Sequence, residues 1–369
     1  MDSLARFAHD RMDCLAADGV VRQLHAMQPL PEMRIRVDGE EFVNFSSNDY
    51  FGLAQHPAVI AAMRAEHMAG AGASRLVTGT HTAVSALEED LAEYAGTQAA
   101  LVFGSGYLAN IGTITALADK ADLILADRLC HACMFDGAKL SGATLRRFRH
   151  NDLAHLEDLL KAQRAHCRNC IILTETIFSM DGDAAPLPEI LELAKRFDCW
   201  VISDNAHGIG FMTPQPTAGH IQMGTLSKGL GGYGGYICAT KPVVDLLISS
   251  ARAFMFTTGL PACVIEAAKT SLTLLQSDAA LRQRPRQLAK HVTESLGLPE
   301  VPGAIVPIVV GDNDTAIEAA LQLEEHGIWV HAIRPPTVPK GTARLRICLS
   351  AAHSDAQVAH LIDALKKVL

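Results

Sequence analysis

Residues 199–208 read CWVISDNAHG, an apolar β-branched run that ends on the acid Asp204 and passes into a turn with His207 three residues on. A short run of this kind, bounded by turn residues, reads as a strand buried on both faces. It is one of a set. AALVFGSG at 99, ADLILAD at 121, ATLRRF at 143 and NCIILTET at 169 repeat the pattern, with helix-like stretches between them. The alternation predicts an α/β fold with a mostly parallel central sheet covered by helices on both faces. Ligands in such folds sit beyond the carboxyl ends of the strands, so the strand ends are where chemistry is to be sought.

Working outward, 369 residues at 49% hydrophobic and 20% charged can bury a large core and suit two lobes. The boundaries expected are an N-terminal helical arm over 1–38, a large domain over 39–265 and a small C-terminal α+β domain over 266–369. In the last of these GAIVPIVVGD at 303, TAIEAALQLEEHG at 315, IWVHAI at 328, RLRICLS at 344 and a helix from about Ser354 change the style of the chain. A net charge of -8 argues against a nucleic acid as partner. The first residues, MDSLARFAHDRMDCLAADG, mix charge with apolar residues at helical spacing and predict an amphipathic helix rather than a signal peptide. No run reaches transmembrane length, so no membrane partner is expected. Nine cysteines, an odd number without an export signal, suit a reducing cytoplasm.

Three strand ends carry the chemistry. FGSGYLAN leaves a strand through Gly104, Ser105 and Gly106 and enters a helix at about Tyr107, where free N–H groups and the positive helix end make a phosphate cradle. Asp204, ending a buried strand, needs a cation, and a protonated heterocyclic nitrogen serves. TLSKGLGGYGG, residues 225–235, sets Lys228 between small hydroxyl residues and five glycines, where a partly dehydrated amine can attack a carbonyl and form a Schiff base. Singly, these have plainer readings: a glycine turn, an N-cap aspartate, a solvated loop lysine. Together, a phosphate anchor, a partner for a pyridine nitrogen and an amine for an aldehyde describe a pyridoxal 5'-phosphate (PLP) site.

NFSSNDYFGL at 44, GAGASRLVTGT at 70, FGSGYLAN at 103, FSMDGDAAPL at 178, TLSKGLGGYGG at 225 and IRPPTVPKGTARLRICLSAAH at 333 resemble, in order and over nearly the whole chain, the α-oxoamine synthases, which are fold type I PLP-dependent transferases. The last motif is most similar to the family's biotin-pathway branch. The resemblance implies that Lys228 forms the Schiff base with the cofactor, Asp204 partners the ring nitrogen, His207 bonds the phenolic oxygen and His131 of CHACMFDG stacks on the ring. It places Ser105, Gly106, Tyr107 and Thr225 on the phosphate, with Thr257 and Thr258 of FTTGLP reaching in from the second subunit of a homodimer that shares its active sites. Ser179 would lie by the ring oxygen, and Asn48 and Arg346 on the amino-acid part of the substrate. Arg22, beside Val21, is the choice for the distal carboxylate of the acyl chain. The implied reaction joins L-alanine to a pimeloyl thioester, on coenzyme A or acyl carrier protein, with loss of carbon dioxide. The alternative within the family is a synthase using glycine or another acyl-CoA.

The chain also departs from the family pattern. Asn205 makes DNAHG of the more usual DEAHG, the stretch from 208 to 224 is short, and Ser85 stands where many relatives have histidine. A reading from another class is a zinc-binding structural protein using Cys130, Cys133, Cys167 and Cys170, two C-x-x-C pairs whose separation exceeds that of zinc ribbons. Four reduced, buried cysteines account for the same residues without metal, and none is expected.

Overall fold

A computed structural model describes residues 2–17, 20–22 and 24–369. The five runs expected as strands are joined by two that were not, His220–Thr225 and Gly235–Ala239, in one seven-stranded sheet of order Ala99–Phe103, Gly235–Ala239, His220–Thr225, Trp200–Asp204, Cys170–Glu175, Leu123–Asp127 and Thr144–Phe148. Gly235–Ala239 is antiparallel to both its neighbours, and the other pairings are parallel. The near-continuous apolar sequences have their cause here. Residues such as Ile124, Ile171, Ile172, Val201 and Ile202 have no exposed surface because helices cover both faces of the sheet.

Contacts divide the chain into two units, one of Ser47–Val306 with Cys348–His353, the other of Met1–Ser46 with Pro307–Ile347 and Ser354–Leu369. These divisions differ from the expected breaks at 38/39 and 265/266, for two physical reasons. The helix Ala262–Ser277 packs on the helices Pro57–Ala65 and Thr82–Ala95, and its Ile265, Ala268, Leu272 and Leu275 enter the core shared by Leu87, Leu91 and Val102. The short strand Ile328–Trp329 pairs in parallel with Glu40–Asn44, which binds the early residues to the late ones in the smaller unit. The periodic stretch near the start is the helix Ser3–Ala17, which has no buried residue. The last helix, Asp355–Val368, begins with Ser354 and Gln357 in a reciprocal capping box. Among the described residues no helix is long and apolar enough to cross a membrane.

Candidate active site

The cradle forms as the strand-to-helix turn requires. Ser105 is the N-cap of the helix Gly106–Leu117, with its Oγ accepting the Leu108 N–H at 3.2 Å, so the N–H groups of Gly106 and Tyr107 stay available at the positive helix end. Gly235, on the antiparallel neighbour strand, presses against this turn. A Cβ there would lie 2.4 Å from the Gly106 nitrogen, which is why the position is glycine. A Cβ at Gly106 would meet Thr225 at 3.6 Å, so Ser105, Gly106 and Thr225 close on one small space. The Thr225 hydroxyl donates to the Gly234 carbonyl at 2.8 Å, which leaves the Ser227 hydroxyl, 2.7 Å away, as donor to Thr225.

At the adjoining strand ends, register sets Glu175 beside Asp204. Asp204 is 4% exposed. Its Oδ2 accepts from Asn110 Nδ2 at 2.8 Å and its Oδ1 from the Ala206 N–H at 2.9 Å. Glu175 is 1% exposed and accepts the Ser179 N–H at 3.2 Å. Burial, and then the charge of Asp204, push its pKa well above the ordinary carboxylate range, which favours the protonated acid. Glu175 Oε1 is buried without a hydrogen-bond partner.

Lys228 Nζ lies 2.8 Å from His207 Nε2, and His207 Nδ1 lies 2.6 Å from the hydroxyl of Tyr50, which also donates to Asn48 Oδ1 at 3.0 Å. His131 caps the helix Ala132–Ser141, with Nδ1 accepting the Cys133 N–H at 3.3 Å. Desolvation lowers its pKa. Asn110 joins the two sides, since its Nδ2 also reaches Cys133 Sγ at 3.1 Å.

The larger unit thus brings together Asn48, Ser105, Gly106, His131, Ser179, Asp204, His207, Thr225 and Lys228. Tyr107 stands in the first turn of the helix Gly106–Leu117, and its phenol donates to Asp136 at 2.6 Å. Thr257 donates to the Ala253 carbonyl at 2.8 Å and Thr258 bridges to Ser74. Arg22 and Arg346 belong to the smaller unit, where the Arg22 guanidinium reaches Thr337 Oγ1 at 3.4 Å. Arg344 and Arg346 lie two residues apart on the strand Ala343–Cys348, and both are buried. Sequence reasoning missed Tyr50, Asn110 and Glu175. Glu175 repeats the signal that found Asp204, an acid closing an apolar run, and Asn110 is an amide inside an apolar helix. The two C-x-x-C pairs are separate: Cys130 and Cys133 sit in one core cluster, Cys167 and Cys170 in another. Among the described residues no group of His, Cys, Asp or Glu is set to hold a metal.

This donor set fits PLP. A turn of free N–H groups suits a phosphate, a buried carboxylate suits a protonated ring nitrogen, and an amine beside them suits an aldehyde.

Residues 40–365 match the model of the aminotransferase class I and II family, and the chain belongs to that family. The fold is that of its PLP-dependent, fold type I transferases. A Methylobacterium sp. (strain 4-46) protein named 8-amino-7-oxononanoate synthase is 52% identical over 366 residues, which is 98% of this chain and 96% of the relative. Among solved structures, Sphingomonas wittichii serine palmitoyltransferase is similar with a TM-score of 0.90 at 30% identity, covering 100% of this chain and 98% of that one. A high-resolution structure of SPT with PLP internal aldimine is similar with a TM-score of 0.92 at 28% identity and the same coverage.

Proposed function

We propose that this chain is a PLP-dependent acyltransferase that condenses L-alanine with a pimeloyl thioester to give 8-amino-7-oxononanoate, carbon dioxide and free thiol, a step of biotin synthesis. The observation that carries this reading is the 52% identity, over 98% of the chain, with a protein of that name. The cofactor is PLP, which supplies when bound an aldehyde for amines and a conjugated cation that draws electron density from the substrate α-carbon.

Each residue of the chain has a task on this reading. Lys228 would hold the cofactor through Nζ and would take the substrate α-proton at that same nitrogen. Asp204, held in place by the N–H groups of Asn110 and Ala206, pairs with the ring nitrogen. His207 would donate to the phenolic oxygen, with Ser179 beside it, and His131 would stack on the ring. Ser105, Gly106, Tyr107 and Thr225 hold the phosphate. Asn48 and Arg346 bind the amino-acid portion, the guanidinium forking onto its carboxylate so that the α-hydrogen faces Nζ. Arg22 meets the far carboxylate of the acyl chain, which arrives on coenzyme A or a carrier protein. Arg346→Leu should lose at least about a hundredfold in kcat/KM for the amino acid, since stranding one partner of a buried charge pair costs roughly 2 to 5 kcal/mol, while PLP binding survives.

The reading includes a cytoplasmic homodimer. All nine cysteines are free, which suits a reducing compartment. Thr257 and Thr258 would complete the neighbouring subunit's phosphate site. Mixing inactive Lys228→Ala chains with inactive chains carrying both Thr257→Ala and Thr258→Ala should then restore part of the activity, and recovery of none argues against shared sites.

The likeness to serine palmitoyltransferases favours a second reading, with serine and a palmitoyl thioester as substrates, at lower identity. Turnover of L-alanine, glycine and L-serine with pimeloyl and palmitoyl thioesters, each on coenzyme A and on carrier protein, decides. L-Alanine with a pimeloyl thioester should be fastest. Faster palmitoyl transfer to serine overturns the proposal.

A further inference from the structure

The contact between Tyr50 and His207 fixes more than a ring position. Tyr50 has one hydroxyl proton, and Asn48 Oδ1 lies 3.0 Å and His207 Nδ1 2.6 Å from its oxygen. A carbonyl oxygen can only accept, and the Cys348 thiol approaches this same oxygen at 4.0 Å, so Asn48 Oδ1 takes the Tyr50 proton. At 2.6 Å, Nδ1 must then bring a proton of its own, because two lone pairs facing each other in a buried site are strongly unfavourable. Tyr50 has no exposed surface and His207 is 5% exposed, so water does not replace either bond.

We propose that Tyr50, backed by Asn48, is a positioning residue that keeps the His207 proton on Nδ1, so that Nε2 turns its lone pair to Lys228 and takes up an ammonium proton before the cofactor is captured. In that step a Lys228 Nζ–H bond breaks and a His207 Nε2–H bond forms. The positive charge passes from ammonium to imidazolium, whose Nδ1–H remains bonded to the Tyr50 oxygen. Lys228 is left as the free amine that condensation with an aldehyde requires. Titratable groups near this pair include Asp204 and Glu175 at the strand ends and His131 and Cys133 at the start of the helix Ala132–Ser141. They act on both protonation states of the pair from fixed positions, whereas Tyr50 bonds the ring nitrogen that decides the tautomer.

The consequence of PLP capture rests on the function proposed above; the tautomer does not. Two measurements on cofactor-free protein test it. In the nitrogen NMR spectrum of 15N-histidine-labelled protein, with His207 assigned by its loss in His207→Gln, wild type should carry the proton on Nδ1 and Tyr50→Phe should move it to Nε2. The rate of PLP uptake, followed by absorbance against pH, should shift upward by about one pH unit in Tyr50→Phe, a tenfold change in the amine fraction. A purely structural role for Tyr50 would lower the melting temperature and leave both readouts unmoved. A wild-type proton on Nε2, or an uptake profile unchanged in Tyr50→Phe, overturns the inference, and the wild-type spectrum decides alone if the variant does not fold. Failure of wild type to take up PLP at any pH would instead overturn the functional reading.

Discussion

Two histidines stand at strand ends of the same sheet and have opposite surroundings. His150 lies between carboxylates, Nδ1 at 3.0 Å from buried Asp127 and Nε2 at 2.8 Å from Asp183, with its ring edge-on to Phe178. Burial opposes its charge, yet the bonds to Asp127 and Asp183 lift its pKa to about 10. His207 meets a phenol at one nitrogen and an amine at the other. The first histidine is a fixed cation, and it pins the turn in which Phe178 and Asp183 bond to each other and Ser179 lies. The second has no carboxylate within hydrogen-bond distance in these two contacts and faces groups that can each exchange a proton with it. A carboxylate on both sides makes histidine a fastener. A phenol and an amine leave it free for chemistry.

The comparison breaks most sharply at Lys228. Lys228→Ala removes the amine beside His207 and should lower kcat by about a thousandfold or more, the scale of a lost nucleophile and proton acceptor, while the phosphate cradle still retains PLP. Borohydride reduction of wild type should fix the cofactor on Lys228, and label on another lysine contradicts the assignment. At the other histidine, His150→Gln should cost roughly 3 kcal/mol of stability in denaturant unfolding, since it removes the cation beside buried Asp127 and leaves that carboxylate to the Leu129 and Asn151 N–H groups, and should leave kcat within about threefold of wild type.

The same pair can be sharpened by pH. His150 has a pKa raised above that of an unfolded histidine, so its contribution is complete below about pH 6.5 and is lost as pH rises through about 10. Wild type should therefore lose its advantage over His150→Gln between those values, and a constant difference would contradict the fixed-cation reading. The smallest effect is expected at Asn205, whose Oδ1 accepts the Thr176 hydroxyl at 2.6 Å. Asn205→Ala should cost about 1 kcal/mol in unfolding experiments, one buried hydrogen bond, with PLP affinity nearly unchanged.

The sheet could be read from the sequence because a strand covered on both faces must be apolar along its length, and the site because the glycine turn at 104–106, Asp204 and Lys228, each with a plainer reading alone, make one chemistry together. Tyr50 and Asn110 could not be read. Their roles are bonds to residues far along the chain, His207 and Asp204, and a buried tyrosine or asparagine has the same local signature whatever its partner. The division into units was hidden for a similar reason. That Ala262–Ser277 joins the larger core follows from apolar contacts with Leu87 and Leu91, and that Ile328–Trp329 joins Glu40–Asn44 follows from a pairing nearly three hundred residues apart. Asn205 was noticed as the loss of an acid, and its bond to Thr176 gives it a plain structural use.

The strand Ala99–Phe103 is the first of the sheet in sequence, yet its sheet partner is the last, Gly235–Ala239. The phosphate cradle follows the first strand, and Gly235, which braces it, opens the last. During synthesis the cradle must therefore wait for more than a hundred further residues to emerge, and its closure brings together segments of high sequence separation, the slow part of any folding process. No partly folded chain has a complete cofactor site. A cofactor that recognises only the closed sheet stabilises the native state by mass action and none of the states before it. The appearance of bound chromophore during refolding then times the arrival of the last strand.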